Sequence, residues 1–446
     1  MPGMKGRRLV SVSEASFPEP FVSGLEFNAP VRGPWNIVHT GMLLPGGHLL
    51  YICPRGCLRG VIMTAAEMGA MGRMSWVGVS EEEVAQGLLE EAAVNGVSAI
   101  LDGMASKPRV LLIYWSCLHK FTSFDSAHVC AVLRGKYPGM RIVNCHMMPV
   151  MRKSGPTDDQ RTRANLYEAL EPVPEQARDL LAVNIIANDR PTDEDSELMR
   201  LLRSSGRMVR DLTLCRSFEE YEAMARSTLN VTTHPDALYA AQCLEGRLGQ
   251  RHLHVPLCYG PEEIRTGLAR LAEALGAPLP DLDAEEASAA AALASARAEI
   301  GDAPVAIDYT VTPRLLGLAR LLTEAGFDVS VVYADAFNEE ERGDFEWLRA
   351  HAPSMRIAAT LAPQQRMHRL RGNGGLVPLG NAVLAIGQKA AYMAETDHFV
   401  NMVAGGGLHG FSGIRALAGR MLEAWRYSKD RRREIQLKGL GCGTCL

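Results

Sequence analysis

Short apolar runs alternate with segments of helical period three times along this chain. In the first stretch, residues 49–52, 110–115 and 141–145 are rich in Leu, Ile, Val and aromatics. That composition suits strands buried on both faces. Between them, 81–94 reads as a helix whose three opening glutamates face the positive end of the helix dipole. Further helices start near Ser126 and Asp158. The second stretch predicts strands at 208–214, 227–231 and 253–256, with helices at 219–226, 236–248, 261–275 and 283–300. In the third, strands at 305–309, 327–333, 355–359 and 382–386 alternate with helices at 313–325 and 339–351, and a last helix covers 414–426. Strands separated by helices at this spacing imply parallel sheets covered on both faces.

The expected fold is therefore α/β, with three Rossmann-like domains, each a parallel sheet flanked by helices. Their boundaries fall at 1–195, 196–300 and 301–446, the last carrying the C-terminal helix and a CxxC tail. A length of 446 residues agrees, since domains usually hold about 100–200. A formal net charge of -4 gives no reason to expect a nucleic-acid or anionic-membrane partner. No window approaches the ~18 uninterrupted apolar residues of a membrane span. The basic start, Met1 to Arg8, is followed by too short and polar a run for a signal peptide, so the expected location is the cytoplasm.

Ten cysteines change the picture. In a reducing compartment they are core thiols or metal ligands, not a disulfide framework. Cys53-Pro-Arg-Gly-Cys57-Leu-Arg-Gly60 directly follows the run at 49–52. Gly56 and Gly60 let backbone approach a bulky inorganic cluster, and Arg55 and Arg59 offset thiolate charge. Trp115-Ser-Cys117 and Val143-Asn-Cys145-His146 also stand at predicted strand ends, so one sheet edge could collect Cys53, Cys57, Cys117 and Cys145. The plain alternative is a glycine-rich turn with buried thiols, and Cys130 falls inside a predicted helix as core. Structural zinc usually needs a second Cys-x2-4-Cys pair, which this stretch lacks. Cys442-Gly-Thr-Cys445 is a redox pair, a metal hook or a frayed end. There is no G-x-x-x-x-G-K-[ST] phosphate loop and no strand leading into G-x-G-x-x-G. Gly405-Gly-Gly-Leu-His409-Gly-Phe-Ser-Gly413 is either a tight loop or a cofactor cradle.

With Gly56-Cys57 and Ser116-Cys117 in place, the chain resembles the nitrogenase component 1 superfamily. Other matching pieces are Glu81-Glu-Glu-Val-Ala-Gln-Gly87, Leu229-Asn-Val with Leu244-Glu-Gly-Arg-Leu-Gly249, Pro256-Leu-Cys-Tyr259-Gly260-Pro, and Gly406 to Ile414. The resemblance implies a nitrogenase-like oxidoreductase that receives electrons from a separate, ATP-hydrolysing, P-loop iron-protein partner. It implies a homodimer, or a heterotetramer with a second component 1 subunit, sharing an iron–sulfur cluster across N-terminal domains. Cys57 and Cys117 match the first and third cluster cysteines, with Gly56 and Arg59 beside the cluster. The second cysteine is missing from Met74-Ser-Trp-Val-Gly-Val-Ser80. Cys53, or else Cys145, is the replacement, which favours [4Fe–4S] over an eight-iron cluster. His234 stands where the nitrogenase cofactor cysteine would be, so no iron–molybdenum cofactor is expected. Electrons would pass to an organic substrate or cofactor in the interdomain cleft, with His234, His398 and His409 as candidate proton donors. Two rival readings are a scaffold for metal-cluster assembly and a non-catalytic partner of a second component 1 subunit.

Overall fold

The computed structural model describes residues 9–21, 37–147, 155–360 and 382–434. They form two compact units, one drawn from the described residues of 37–189 and 207–254, the other from those of 9–21, 190–206 and 255–434. Strand β1, Leu9–Ser11, belongs to the second of these.

The first unit holds two four-stranded parallel sheets. One contains β2 (Gly47–Pro54), β3 (Met74–Val79), β4 (Val110–Trp115) and β5 (Arg141–His146) in the order β3-β2-β4-β5. β2 and β4 are central and buried on both faces, as their unbroken apolar runs demand. Leu49, Tyr51 and Cys53 pack on one side, with Val61 and Ala65 of the helix Leu58–Glu67. Leu50 and Ile52 pack on the other, against Val97 and Leu101 of Leu89–Asp102 and Val129, Cys130 and Leu133 of Ser126–Lys136. Each such Leu, Ile or Val contributes about 1.5–3 kcal/mol by leaving water.

Two local expectations need correction here. The segment 81–94 is not one helix: Glu81–Gln86 ends at Gly87, whose φ of 71° is left-handed, and Leu89–Asp102 starts anew. Ser80 and Glu83 form a reciprocal capping box at the first start. The stretch 74–79, not predicted as a strand, is the edge strand β3, with only its end residues buried.

The second sheet of this unit has the order β7-β6-β8-β9, from β6 (Asp179–Ile185), β7 (Met208–Asp211), β8 (Ser227–Thr232) and β9 (Arg251–His254). β6 was not anticipated from the sequence. Its exposed Leu180 and Leu181 break the buried pattern that the periodicity looks for. The strand predicted at 208–214 stops at Asp211, whose side chain accepts from the Thr213 amide and turns the chain into a short 3-10 segment.

The other unit carries a six-stranded sheet, β1-β12-β11-β10-β13-β14, in which only β1 is antiparallel. Its strands are β10 (Pro304–Asp308), β11 (Asp328–Tyr333), β12 (Arg356–Ala358), β13 (Leu384–Ile386) and β14 (Phe399–Val400). Three parallel-dominated sheets flanked by helices agree with the α/β architecture read from the sequence. Among the described residues no helix is long and apolar enough to cross a membrane.

Candidate functional site

Adjacent strands β2 and β4 deliver thiols to one sheet edge. They are in register up to Ile52 opposite Trp115, and the Ser116 amide adds one more bond to the Ile52 carbonyl at 3.1 Å. Beyond that rung both chains turn into helices. Cys57 is the N-cap of Leu58–Glu67, and Cys117 opens Cys117–Phe121 behind the N-cap Ser116.

Cys57 is exposed, Cys117 half-buried and Cys53 fully buried. Each thiol lies within electrostatic reach of another. Burial raises the Cys57 thiol, and Cys117 raises it further. Burial pushes Cys53 up to about 12, Cys57 adding to this and a hydrogen bond with Tyr51 opposing it. Tyr51 is itself raised by burial and then by Cys53, Cys57 and Cys117 together. The sequence reading passed over this phenol, which is hydrogen-bonded to Cys53 and feels the charge of Cys57 and Cys117. The available signal was strand alternation, because Tyr51 shares its face with Cys53.

Cys145 is not brought to this group. It lies opposite Tyr114, which lies opposite Tyr51, so it sits level with Tyr51 two strands across. At the usual strand spacing that is about 10 Å away. Its thiol contacts the Val143 carbonyl at 3.8 Å, and its charged neighbours are Glu168 and Cys130. Gly56 borders Cys57, and a Cβ there would meet nothing within 4 Å apart from its chain neighbours, so the position faces open space. Arg59 is exposed on the following helix, whereas Arg55 lies along β3, its Cγ 3.4 Å from where a Gly78 Cβ would be. Among the described residues no three His, Cys, Asp or Glu side chains are arranged to hold a metal ion. A [4Fe–4S] cluster needs four ligands. The thiols described in this chain do not by themselves make up such a set.

Beside Cys117, His119 is buried, its Nδ1 3.2 Å from the Ser116 hydroxyl and its Nε2 without a hydrogen-bond partner. His146, level with Trp115 on β5, is held down to about 4 by burial and by Arg161, Lys120 and His119.

His234 follows β8 and is held neutral by burial, with Arg163 and His254 adding to the effect. The Asp236 amide donates to its Nδ1 at 3.1 Å, so that nitrogen carries the lone pair and Nε2 the proton. Beneath it, Arg163 donates to Asp159 and Asp189 at 2.7 Å each. Asp236 is raised to about 7 by burial and by Asp159, against the pull of Arg163. The residue at position 234 is thus the imidazole end of a buried charge network.

His398 and His409 belong to the other compact unit. The His398 Nδ1 lies 3.0 Å from the Ala424 carbonyl and its ring 5.5 Å from Trp425, a packing role. His409 is buried and held down to about 4 by that burial, with the Val255 backbone opposing the effect. The glycine-rich segment around it is a tight loop. The Glu197 carboxylate accepts the Ser412 amide at 3.0 Å and its hydroxyl at 3.2 Å, so the N-terminus of Gly410–Arg426 is already capped by the chain's own acid. Gly407 and Gly410 have positive φ, and a side chain on either would collide with the Pro191 carbonyl or Glu197. Cys442 and Cys445 lie outside the described residues.

The solved structure of nitrogenase Cp1 at pH 6.5 superimposes on 95% of this chain and 97% of its own, with a TM-score of 0.66 and 13% identity. Nitrogenase Cp1 at pH 5 gives a TM-score of 0.57 at 13% identity, over 94% of this chain and 93% of that one. No curated protein matches the sequence. The model of the family described as nitrogenase component 1 type oxidoreductase matches residues 40–426. Nearly the whole described fold, thiol-bearing edge included, falls inside that match, and the chain belongs to the nitrogenase component 1 type oxidoreductase family.

Proposed function

We propose that this chain is the iron–sulfur subunit of an ATP-dependent, nitrogenase-like reductase. The observation that carries the reading is that adjacent, in-register strands β2 and β4 lead at one sheet edge into helix starts bearing Cys57 and Cys117, with Cys53 at the end of β2. Cys57 and Cys117 would hold the cluster, with Cys53 as the third thiol behind them and a second subunit, identical or related, completing the set. When bound there, a [4Fe–4S] cluster supplies one-electron transfer. The chain's own contribution is to hold thiols at two helix starts and to keep room beside Gly56. Electrons would come from a P-loop iron-protein ATPase, since this sequence has no phosphate loop of its own. An iron–molybdenum cofactor is not part of the proposal, because a neutral imidazole occupies position 234.

Anaerobic purification followed by iron and sulfide analysis and EPR tests this. The reading expects roughly four irons per shared cluster, lost in Cys57→Ala. Equal absence of iron in both proteins removes the cluster. Reduction of the iron by a P-loop partner only with ATP supports the reductase, whereas release of the iron to an apoprotein without turnover supports an assembly scaffold.

A further inference from the structure

The edge of the β3-β2-β4-β5 sheet opposite the thiols has a chemistry that this reading does not use. Where β2, β3 and β4 begin, the loops ahead of them open a cavity of about 700 Å³. Its walls include the side chains of Arg73, Lys107, Arg109 and Arg216 and no Asp or Glu. Arg109 is offset by Glu219 at 3.3 Å and Glu222 at 3.8 Å outside the walls. Nearby Glu220 accepts only the backbone amide of Arg216. Among the described residues no carboxylate pairs with the side chain of Arg73, Lys107 or Arg216.

Arg73 is the built part of the site. Its guanidinium donates to the carbonyls of Gly47 and Met42 at 3.1 Å and of Leu44 at 2.5 Å, which fixes it in the cavity wall. Burial lowers its pKa with no acid to oppose the effect. His48 beside it is held neutral by burial and by Arg73. A half-buried cation bound only to neutral carbonyls is a charge without a counter-ion, and the exposed residues Lys107 and Arg216 line the same cavity. Met42, Leu43, Pro45 and Met104 supply apolar walls. A hollow of this size that combines apolar walls with a few polar groups is a usual form of small-molecule site.

We propose that this cavity binds a small organic or inorganic anion carrying at least two negative charges, held by Arg73, Lys107 and Arg216. Phosphate and carboxylate groups both match guanidinium geometry, so the shared chemistry is a polyanion. The site is independent of cluster binding and stands even if the cluster does not.

Isothermal titration of the full chain with pyrophosphate and, separately, with citrate at low ionic strength tests it. The expected result is saturable one-to-one binding of at least one of them. Binding of pyrophosphate alone identifies a phosphoryl ligand, and of citrate alone a polycarboxylate. The double variant Lys107→Glu with Arg216→Glu should weaken that binding by about tenfold or more, and Arg73→Lys should weaken it without unfolding the sheet edge. Arg349→Glu, in the other compact unit, should leave it unchanged. Absence of saturable binding for both anions, or equal affinity in the double variant and the parent, overturns the proposal.

Discussion

The Ser116 amide donates to the Ile52 carbonyl at 3.1 Å, and this rung is the last that joins β2 to β4. Cys117 follows immediately on one strand, and Cys53 to Cys57 follow on the other. The spacing of the thiols is therefore set by a backbone ladder, which is stiffer than any loop.

Single cysteine replacements should separate the thiols by position. Cys57→Ala and Cys117→Ala are expected to remove most of the iron while leaving thermal stability nearly unchanged, because both thiols reach the surface layer. Cys53→Ala should lower iron content as well. Cys145→Ala should keep the iron and cost about 1 kcal/mol of stability, as for other small core truncations. Iron analysis beside denaturant unfolding reads both, and loss of iron in Cys145→Ala alone would return that residue to the ligand set.

Gly56→Ala separates room from fold. Nothing lies within 4 Å of the added methyl and the backbone needs no left-handed φ, so stability should change by less than ~0.5 kcal/mol. The methyl would occupy the space beside Cys57, so iron loading should fall. Unchanged loading would show that no cluster uses that space.

His409 makes the protein acid-sensitive. Its pKa is about 4 in the fold and near 6.5 when unfolded. Below pH 6.5 the unfolded chain takes up a proton that the folded chain refuses, so stability is lost as pH falls from 6.5 to about 4. At pH 5 the loss amounts to about 2 kcal/mol from this residue. Urea unfolding at pH 7 and pH 5 should show the drop, and His409→Gln should reduce the difference between the two.

Asp236 acts in the opposite sense. Its carboxyl is raised from 3.8 to about 7, so the folded state holds a proton that the unfolded state has released. Stability from this group is present below pH 3.8 and fades as pH rises to about 7. Asp236→Asn keeps the shape and removes the titration. It should gain stability relative to the parent at pH 8 and not at pH 4, which melting temperatures at the two values would check.

Glu197→Ala removes the cap of the helix Gly410–Arg426 and leaves the Ser412 amide buried without its acceptor. A loss of about 1–3 kcal/mol is expected, read as a lower midpoint in denaturant. A variant as stable as the parent would mean that the loop does not depend on this acid.

How much could be read in advance follows from what each signal reports. β2 and β4 were legible because a strand buried on both faces is apolar at every position. β3 and β6 were not: one is an edge strand with alternating exposure, and the other starts with two exposed leucines. The split at Gly87 escaped a period that continues on either side of it, although the glycine itself was a stop signal. The glycine-rich loop left two readings open, and Glu197, more than two hundred residues away in sequence, decided between them.

The sequence alone determined the α/β class, the three sheets and two thiols at strand ends, because hydrophobic period and local turn chemistry are properties of neighbours along the chain. Strand order and register came only with the tertiary structure. They set the strand that carries Tyr51 and Cys53 and leads to Cys57 beside the strand that leads to Cys117, leave Cys145 two strands from Tyr51, and bury His409. Those outcomes depend on which segments hydrogen-bond side by side and how much water they exclude, and no local pattern of residues encodes either.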